Sequence, residues 1–360
     1  MPVEKIDIEN FLRLSEECPV LDVRSPAEFK HAHIPGAYSI PLFTDEQRAV
    51  VGTAYVKESR QVAVDHGLNY FSERMKIIPG EVTEIINDRQ NNNQFSSPIL
   101  IHCWRGGMRS EAVAWLMNLY GYKVYLLKGG YKSFRRWALS QFEKKYSLNV
   151  LGGFTGSGKT GVLKELKEKG KYVIDLEALA NHKGSAFGAL GEKAQPEHEM
   201  FENLLAIELS KINNANDKKE AHSNDNNDQI WIEDESVHIG KVGIPKTFWQ
   251  QMRSSPLFFI DIPFEERVNY IVNTYGKFDN KELSECVLKI QKRLGGLDTK
   301  NAIHFLSENN LTETFSILLK YYDKMYEKSL NNRENIHSLL NKVTCKKVQN
   351  ANAEKLLIRQ

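Results

Sequence analysis

Residues 149–160 read NVLGGFTGSGKT, and this stretch decides the fold of the second half of the chain. The segment from Gly153 to Thr160 matches the pattern GxxxxGK[ST]. It follows an apolar run and opens a helical stretch, which is the context that a phosphate-binding loop requires. Glycines let backbone amides approach phosphate oxygens, the lysine reaches terminal phosphate oxygens, and the threonine binds Mg²⁺ where a metal is used. The predicted phosphate-binding residues are Gly153, Gly156, Ser157, Gly158, Lys159 and Thr160.

A phosphate loop that uses Mg²⁺ also needs a carboxylate at the end of a neighbouring strand. Two apolar runs end in acids: YVIDLE at 172–177 and IWIEDES at 230–236. The candidates for contact with phosphate or a phosphate-linked metal are Asp175, Asp234 and Glu235. Mg²⁺ is therefore a possible cofactor, although such acids also occur as solvated strand ends or helix caps. A third run, LFFIDIPFEER at 257–267, resembles a late strand and helix of P-loop kinases, and we expect Arg267 to pair with a nearby acid.

A second chemical loop lies upstream, where residues 99–110 read ILIHCWRGGMRS. The pattern predicts a strand, a tight loop and a helix for which Ser110 is the expected N-cap. Adjacent glycines can turn their amides inward, and together with the helix start these amides form an anion-binding nest. Such a loop favours the thiolate, which attacks sulfur, selenium or phosphorus. The candidate catalytic residues are Cys103, Arg105 and Arg109.

The alternative for Cys103 is an ordinary buried cysteine at a strand end, and this structural interpretation is preferred for Cys18, Cys286 and Cys345. Two further blocks precede the loop, LDVRSPAEF at 21–29 and HIPGA at 33–37. With the cysteine loop, they make residues 4–138 resemble a rhodanese domain. The resemblance implies that the DVR block is mostly scaffold, with Asp22 and Arg24 facing the loop. Trp104 suggests a larger planar or apolar substrate, or simple packing.

The rest of the chain alternates short apolar runs with helical patterns, which is typical of parallel α/β sheets. We predict an N-terminal rhodanese-like parallel-sheet domain at 1–140, followed by a P-loop NTPase-like α/β domain at 148–300. Residues 301–360 are expected to form a helical C-terminal extension. Two stretches without large apolar clusters, 91–97 and 213–229, predict a polar loop and a polar surface insert. Predicted strands lie at 20–23, 99–103, 124–127, 149–152, 172–175, 230–233 and 257–261.

Composition narrows the class of protein further. The 360 residues carry 48 basic and 46 acidic side chains, a net charge of +2. This charge excludes a nucleic-acid-binding protein whose whole surface is basic, but it does not exclude a local basic patch. The four cysteines form no CxxC pair, so neither a disulfide scaffold nor a zinc-ligand pattern is indicated. There is no run of 18 apolar residues and no signal-like N-terminus. We therefore expect a cytoplasmic protein without a membrane partner.

One local basic patch lies between residues 123 and 145. This segment contains seven basic residues and only one acidic residue, with five aromatic residues between them. Cations neutralise backbone phosphates, and exposed aromatic rings stack on unpaired bases. The competing interpretation is a helix with apolar residues facing its domain and cations facing water. The candidate nucleic-acid-binding residues are Lys128, Lys132, Arg135 and Arg136.

The chain closely resembles the tRNA 2-selenouridine synthase family. The resemblance rests on the cysteine loop followed by the phosphate loop, and on three further segments: DLEALANHKGSAFG at 175–188, IEDES at 232–236 and RLGG at 293–296. This resemblance covers nearly the whole chain. It implies a transferase of selenium-containing groups that converts wobble 2-thiouridine to 2-selenouridine in the tRNAs for lysine, glutamate and glutamine. It also implies tRNA geranyltransferase activity, because S-geranyl-2-thiouridine is made first.

The same resemblance implies two small-molecule co-substrates and no prosthetic group. Geranyl diphosphate would occupy the phosphate loop, with Phe154 or Phe187 lining an apolar slot, and selenophosphate would supply selenium. Cys103 would handle the chalcogen. Two alternatives stay open: an ATP-dependent kinase or NTPase fused to a sulfurtransferase that does not act on tRNA, and a non-catalytic sensor of phosphate or redox state. Oligomeric state and the general acid and base are left undetermined by the sequence.

Overall fold

The computed structural model describes residues 3–89, 98–219 and 229–358. The chain divides into two compact units, Met1–Gln141 and Phe142–Gln360. Each unit is built on its own five-stranded sheet, and every strand pair in those two sheets is parallel. Each is therefore an α/β unit, as the alternation of apolar runs and helices predicts.

The sheet of the first unit has the strand order β1-β5-β4-β2-β3. Its strands are β1 (Glu4–Ile6), β2 (Val20–Asp22), β3 (Tyr38–Ser39), β4 (Ile99–His102) and β5 (Val124–Leu127). Its helices are α1 (Ile8–Ser15), α2 (Pro26–His31), α3 (Asp45–Lys57), α4 (Arg60–Arg74), α5 (Ile78–Arg89), α6 (Met108–Leu119) and α7 (Gly130–Gln141). The central strands β2 and β4 are buried along their whole length, because helices cover both faces of such a sheet.

The sheet of the second unit has the order β12-β11-β6-β8-β7, beside a small antiparallel pair of β9 and β10. Its strands are β6 (Leu148–Gly152), β7 (Tyr172–Ile174), β8 (Ile230–Glu233), β9 (His238–Ile239), β10 (Val242–Gly243), β11 (Leu257–Asp261) and β12 (Leu340–Thr344). Its helices are α8 (Lys159–Glu168), α9 (Leu176–Ala180), α10 (His198–Lys219), α11 (Lys246–Arg253), α12 (Phe264–Tyr275), α13 (Asn280–Lys289), α14 (Gln291–Leu294), α15 (Gly296–Ser307), α16 (Leu311–Asn331), α17 (Ile336–Leu339) and α18 (Asn352–Leu357). The phosphate loop leaves the middle strand, β6, at its carboxyl end, where parallel sheets bind ligands.

Five strands of the described residues were not predicted from the sequence: the short antiparallel pair β9 and β10, and three edge strands of the parallel sheets. The short strands β1 and β3 lie at the two edges of the first sheet, and β12 lies at an edge of the second, where it pairs with β11 from Leu257↔Leu340 to Asp261↔Thr344. Only one residue of β12 is buried, so its sequence lacks the continuous apolar run of a central strand. The C-terminal region is helical as expected, and it also completes the sheet of the second unit.

The predicted polar insert at 213–229 is partly wrong. Helix α10 continues to Lys219, so the first residues of the insert belong to a helix. The buried face of this helix, formed by Phe201, Leu205, Leu209 and Ile212, has helical spacing and ends before the polar residues begin. The remainder of the insert and the polar loop at 91–97 lie outside the described residues, apart from Gln229.

Candidate functional sites

The cysteine loop joins β4 to α6. Cys103 follows β4 directly, and its side chain is 3% exposed. Its Sγ lies 3.2 Å from the Ser110 Oγ and 3.9 Å from the Gly107 carbonyl oxygen. The expectation that Ser110 caps the helix is wrong: Gly107 is the N-cap, and Ser110 lies in the first turn with its hydroxyl against the sulfur. The Ser110 hydroxyl donates to the Gly107 carbonyl at 3.0 Å, and by rotating it can donate the same hydrogen to a thiolate instead.

The loop is supported by a pair of glycines that sequence reasoning missed, Gly129 and Gly130. The Tyr131 N–H donates to the Cys103 carbonyl at 2.8 Å, and the Lys132 N–H donates to the Trp104 carbonyl at 3.0 Å. Gly130 has φ of 58°, and a Cβ there would collide with the Cys103 carbonyl. The start of α7 is thus fitted closely beneath the cysteine loop. Two adjacent glycines between an apolar strand and a helix were the signal available in the sequence.

The two arginines of the loop have different environments. The Arg105 side chain is exposed, whereas the Arg109 Nη1 donates to the Glu28 Oε2 at 2.8 Å. Burial raises the pKa of Glu28, but the hydrogen bond and charge of Arg109 outweigh it and the pKa is lowered. The charge of Arg109 is therefore largely offset by Glu28. The positive charge that the loop presents therefore comes mainly from Arg105.

The DVR block lies below the loop as a buried ion pair. Arg24 donates to both carboxylate oxygens of Asp22, from Nε to Oδ1 at 3.0 Å and from Nη2 to Oδ2 at 2.6 Å, and both side chains are at most 1% exposed. The Arg24 guanidinium carbon lies 3.8 Å from the centroid of the Tyr131 ring at the start of α7. Breaking such a buried pair leaves an uncompensated charge, which is strongly destabilising. The block therefore positions α7 beneath the cysteine loop.

Three of the five aromatic residues of the basic stretch, Tyr131, Phe134 and Phe142, are buried and cannot stack on bases, which corrects one part of the tRNA-binding hypothesis, whereas Tyr125 and Trp137 are half-buried. Tyr131 and Phe134 are fully buried, and with Ala138 and Gln141 they form the inward face of α7. Trp104, in contrast, is 38% exposed, with its ring centroid 5.7 Å from that of Tyr131. The predicted cations lie on the outer side: Lys128, Lys132 and Arg136 are exposed, and Arg135 is half-buried.

In the second unit, the predicted phosphate-binding residues form a loop between β6 and α8. Gly158 is the N-cap of α8 in the left-handed region, with φ of 75°. The Lys159 Nζ donates to the Gly153 carbonyl at 3.1 Å, and the Thr160 hydroxyl donates to the Glu177 Oε2 at 3.1 Å. The Ser157 Oγ is buried and has no hydrogen-bond partner within the described ranges. These polar groups are arranged for an anion at the start of α8.

Three carboxylates converge on this loop, and only one of them was predicted. Ligand atoms of Glu177, Glu233 and Glu235 lie within 4.8 Å of one another, and the Glu233 Oε1 is 3.4 Å from the Lys159 Nζ. Burial is the largest cause that raises the pKa of each of the three, and that of Glu177 rises to about 8. Oxygen ligands of this kind, with the Thr160 hydroxyl nearby, fit a hard cation such as Mg²⁺.

The other two predicted acids have different contacts. Asp175 accepts a hydrogen bond from the Ala178 N–H at 2.9 Å and is the N-cap of α9. Asp234 accepts from the Arg333 Nη2 and from the Tyr326 hydroxyl, both at 2.7 Å. Successive side chains of an extended chain point to opposite sides, so Glu233 and Glu235 face the loop while Asp234 faces away from the cluster. This alternation was the signal available for Glu233.

A cavity of about 1140 Å³ lies beside the phosphate loop. The phosphate loop and the three glutamates line part of it, and another wall is aromatic and aliphatic. That wall is formed by Phe187, Tyr270, Ile271, Tyr275, Phe315, Leu318, Leu319, Tyr321, Tyr322, Met325 and Tyr326. The cavity therefore suits an amphiphile with a phosphate head and an apolar body.

Of the two phenylalanines expected to line an apolar slot, Phe187 lies in the cavity wall and Phe154 does not. The Phe154 ring packs edge-on against Phe259, with centroids 5.2 Å apart. Arg267 pairs with an acid, as expected: its guanidinium donates to both Asp323 oxygens, at 2.9 and 2.7 Å. A third hydrogen bond, 3.1 Å long, joins Arg267 to the Thr155 carbonyl and so braces the phosphate loop.

The glutamate cluster gives a pH-dependent prediction for stability. The pKa of Glu177 in the folded protein, about 8, is above its ordinary value of 4.5, so the metal-free protein loses stability as pH rises through this range. Mg²⁺ binds the ionised carboxylates and competes with protons. We expect Mg²⁺ to raise the midpoint of thermal unfolding more at about pH 9 than at about pH 6. Differential scanning calorimetry of the wild type and Glu177→Gln measures this.

In that experiment Glu177→Gln should show a smaller Mg²⁺ effect and a weaker pH dependence. Glu168→Gln, an exposed change at the end of α8, is the control and should behave as the wild type. An equal Mg²⁺ effect at both pH values would contradict the assignment of the cluster as a cation site.

Comparison with known proteins finds a matching protein family for each of the two units. A family model described as the AAA domain of tRNA 2-selenouridine synthase matches residues 146–356, and a rhodanese-like domain model matches residues 7–136. A tRNA 2-selenouridine synthase of Sulfurovum sp. is 33% identical over 343 residues, covering 86% of this chain and 88% of that protein. The proteins of the same name from Hydrogenovibrio crunogenus and Shewanella piezotolerans are 31% and 29% identical, covering 88% and 92% of this chain and 90% and 94% of theirs. Among the described residues, no helix is long and apolar enough to cross a membrane.

Proposed function

Because this chain belongs to the tRNA 2-selenouridine synthase family, we propose that it converts wobble 2-thiouridine to 2-selenouridine in two steps, through an S-geranyl intermediate. Geranyl diphosphate supplies the geranyl group and selenophosphate supplies the selenium. The observation that carries the proposal is the cavity of the second unit, in which a phosphate loop and a carboxylate cluster adjoin an aromatic and aliphatic wall. Such a wall is suited to a prenyl chain.

In the first step, the thiocarbonyl sulfur attacks carbon 1 of geranyl diphosphate, the carbon–oxygen bond breaks and diphosphate leaves, and the base loses its N3 proton to solvent. Lys159 and the amides at the start of α8 stabilise the charge that develops on the leaving diphosphate. The Glu177, Glu233 and Glu235 cluster would hold Mg²⁺, which would supply further neutralisation of the phosphate charge. The apolar wall binds the chain and excludes water, which would otherwise capture the allylic carbon.

The second step is assigned to the cysteine loop. Alkylation turns the sulfur at carbon 2 into a thioether that departs as neutral geranylthiol when selenium adds. Thiolate attack by Cys103 on the phosphorus of selenophosphate forms a sulfur–phosphorus bond and breaks the phosphorus–selenium bond, which releases selenide for that addition. Water then hydrolyses the sulfur–phosphorus bond. Ser110 and Arg105 are placed to stabilise the thiolate and the phosphoryl oxygens.

The RNA partner is a tRNA, and the proposal includes the tRNAs for lysine, glutamate and glutamine. Carbon 2 of a stacked uridine is inaccessible, so the wobble base has to leave the anticodon stack for each step. The exposed cations Lys128, Lys132 and Arg136 are suited to backbone phosphates, which contribute to affinity and not to sequence choice.

The decisive experiment incubates the protein with thiolated tRNA, geranyl diphosphate and selenophosphate, and follows the nucleosides by mass spectrometry. We expect S-geranyl-2-thiouridine without selenophosphate, and 2-selenouridine when both donors are present. Hydrolysis of ATP at the same rate with and without tRNA, together with unmodified RNA, would favour the alternative of a nucleotide-hydrolysing enzyme and overturn the proposal.

A further inference from the structure

A second cavity, of about 660 Å³, lies in the second unit beside the first. It is formed by the end of α11 and the end of α16, and it shares Met325 and Ser329 with the wall of the first cavity. The two cavities are therefore adjacent, and a ligand in the first cavity lies next to the second. Neither the phosphate loop nor the glutamate cluster lines this second space.

Three cations line the second cavity: Arg253, Lys328 and Arg333. Asp234 pairs with Arg333, and Glu334 also lines the cavity, so the charges do not balance fully. Arg333 is 3% exposed, and its Nε and Nη1 atoms are buried with no hydrogen-bond partner in the part of the chain that the structure describes. Unsatisfied buried donors of a charged group are costly unless a ligand or water completes them.

The arginine on α11 also lacks full compensation. The Arg253 Nη2 donates to the Ser329 carbonyl at 2.7 Å, and no ion pair joins Arg253 to an acid among the described residues. Burial, followed by the charge of Arg333, lowers the pKa of Arg253. The Arg253 guanidinium carbon lies 5.5 Å from the centroid of the Trp249 ring, which also lines the cavity. An anion that enters here would relieve the repulsion between the two arginines.

We propose that the second cavity binds a backbone phosphate of the RNA substrate next to the nucleotide that reacts in the first cavity. The inference rests on the proposed function, because it concerns where the RNA substrate of that function binds. A volume of about 660 Å³ exceeds the needs of a lone phosphate and is in the range of sites for larger ligands. The Trp249 ring beside the cations adds a stacking surface of the kind that single-stranded RNA sites use.

A hydrogen-bonded chain joins this cavity to the phosphate loop. Arg333 donates to Asp234, the Tyr326 hydroxyl donates to the other Asp234 oxygen at 2.7 Å, and the Gly153 N–H donates to the Tyr326 oxygen at 3.3 Å. Asp234 thus holds Arg333 at a fixed position relative to the loop. RNA bound by the arginine would be positioned relative to the site of geranyl transfer.

The test uses the full chain and a short RNA hairpin with a thiolated anticodon arm, titrated at several salt concentrations. The variants are Arg253→Gln and Lys328→Gln, and Lys300→Gln on α15 is the control, because this exposed lysine lines neither cavity. We expect each cavity variant to bind the RNA about tenfold more weakly and to lower the salt slope by about one. Arg333 is left unchanged, because its removal would strand Asp234 in the interior.

Wild-type affinity and salt slope in the Arg253→Gln/Lys328→Gln double variant would overturn the inference. It would also be overturned if inorganic phosphate competed with RNA for the wild type while the double variant kept its RNA affinity, because the cavity would then bind a small anion. Geranyl transfer by the wild type is measured in parallel. If the wild type binds RNA but does not transfer geranyl, only the proposed function is contradicted. If the wild type binds no RNA, both the proposed function and the RNA-binding role of the second cavity are contradicted.

Discussion

Lys159→Ala is expected to lower the rate of geranyl transfer by about 10³-fold or more. The Lys159 Nζ is the cation of the phosphate loop, held between the Gly153 carbonyl at 3.1 Å and the Glu233 carboxylate at 3.4 Å. In the proposed first step, negative charge grows on the diphosphate as the prenyl group leaves, and this ammonium is placed to stabilise it. Its removal also leaves Glu233 without its cationic partner, so the site repels anions more strongly.

The measurement is single-turnover geranylation of thiolated RNA, followed by nucleoside mass spectrometry. Because the substitution leaves the buried Glu233 without its cation, calorimetry and the second half-reaction are used to verify that Lys159→Ala is folded. RNA that already carries S-geranyl-2-thiouridine should still be converted to selenouridine by the variant. Lys246→Ala, an exposed change at the start of α11, should geranylate normally. Full geranylation by folded Lys159→Ala would remove the phosphate loop from the first step.

The two chemical loops could be predicted from the sequence because each is a contiguous segment. In 149–160 and in 99–110 the strand, the glycines and the helix start stand in chain order, so local rules suffice. All seven predicted strands are present, with bounds that differ by at most one residue at each end. Central strands of a parallel sheet are continuous apolar runs, and these runs are the clearest signal in the chain.

The parts that escaped prediction are assembled from distant segments. Glu177 follows β7 and Glu233 ends β8, and only the parallel pairing of those strands brings them together beside Lys159. Edge strand β12 has too little buried surface to be recognised before its partner β11 is known. The orientation of Tyr131 and Phe134 likewise depended on which face of α7 the first sheet covers. The pattern of a single sequence shows that a helix has an apolar and a basic face. It does not show which aromatic residues the sheet covers.

Cys103→Ser is expected to abolish selenouridine formation while geranylation continues, so that S-geranyl-2-thiouridine accumulates. An alcohol is a far weaker nucleophile than a thiolate near neutral pH, and loss of a nucleophile of this kind lowers rates by several powers of ten. The substitution is nearly isosteric in a site where Sγ already lies 3.2 Å from a hydroxyl, so the loop should keep its shape. If the variant still geranylates RNA, it is folded, and the loss of selenouridine is then an effect on the chemical step and not on stability.

The matched control is Cys18→Ala, which removes another buried thiol of the same unit and should leave both products unchanged. The variant and the control are compared with thiolated RNA and both donors, with the S-geranyl and seleno nucleosides quantified over time. If Cys103→Ser formed selenouridine at the wild-type rate, selenide release would have to proceed without a cysteine nucleophile. In that case Arg105 and the loop amides would serve only to bind the selenophosphoryl group, and water would be the group that cleaves its phosphorus–selenium bond.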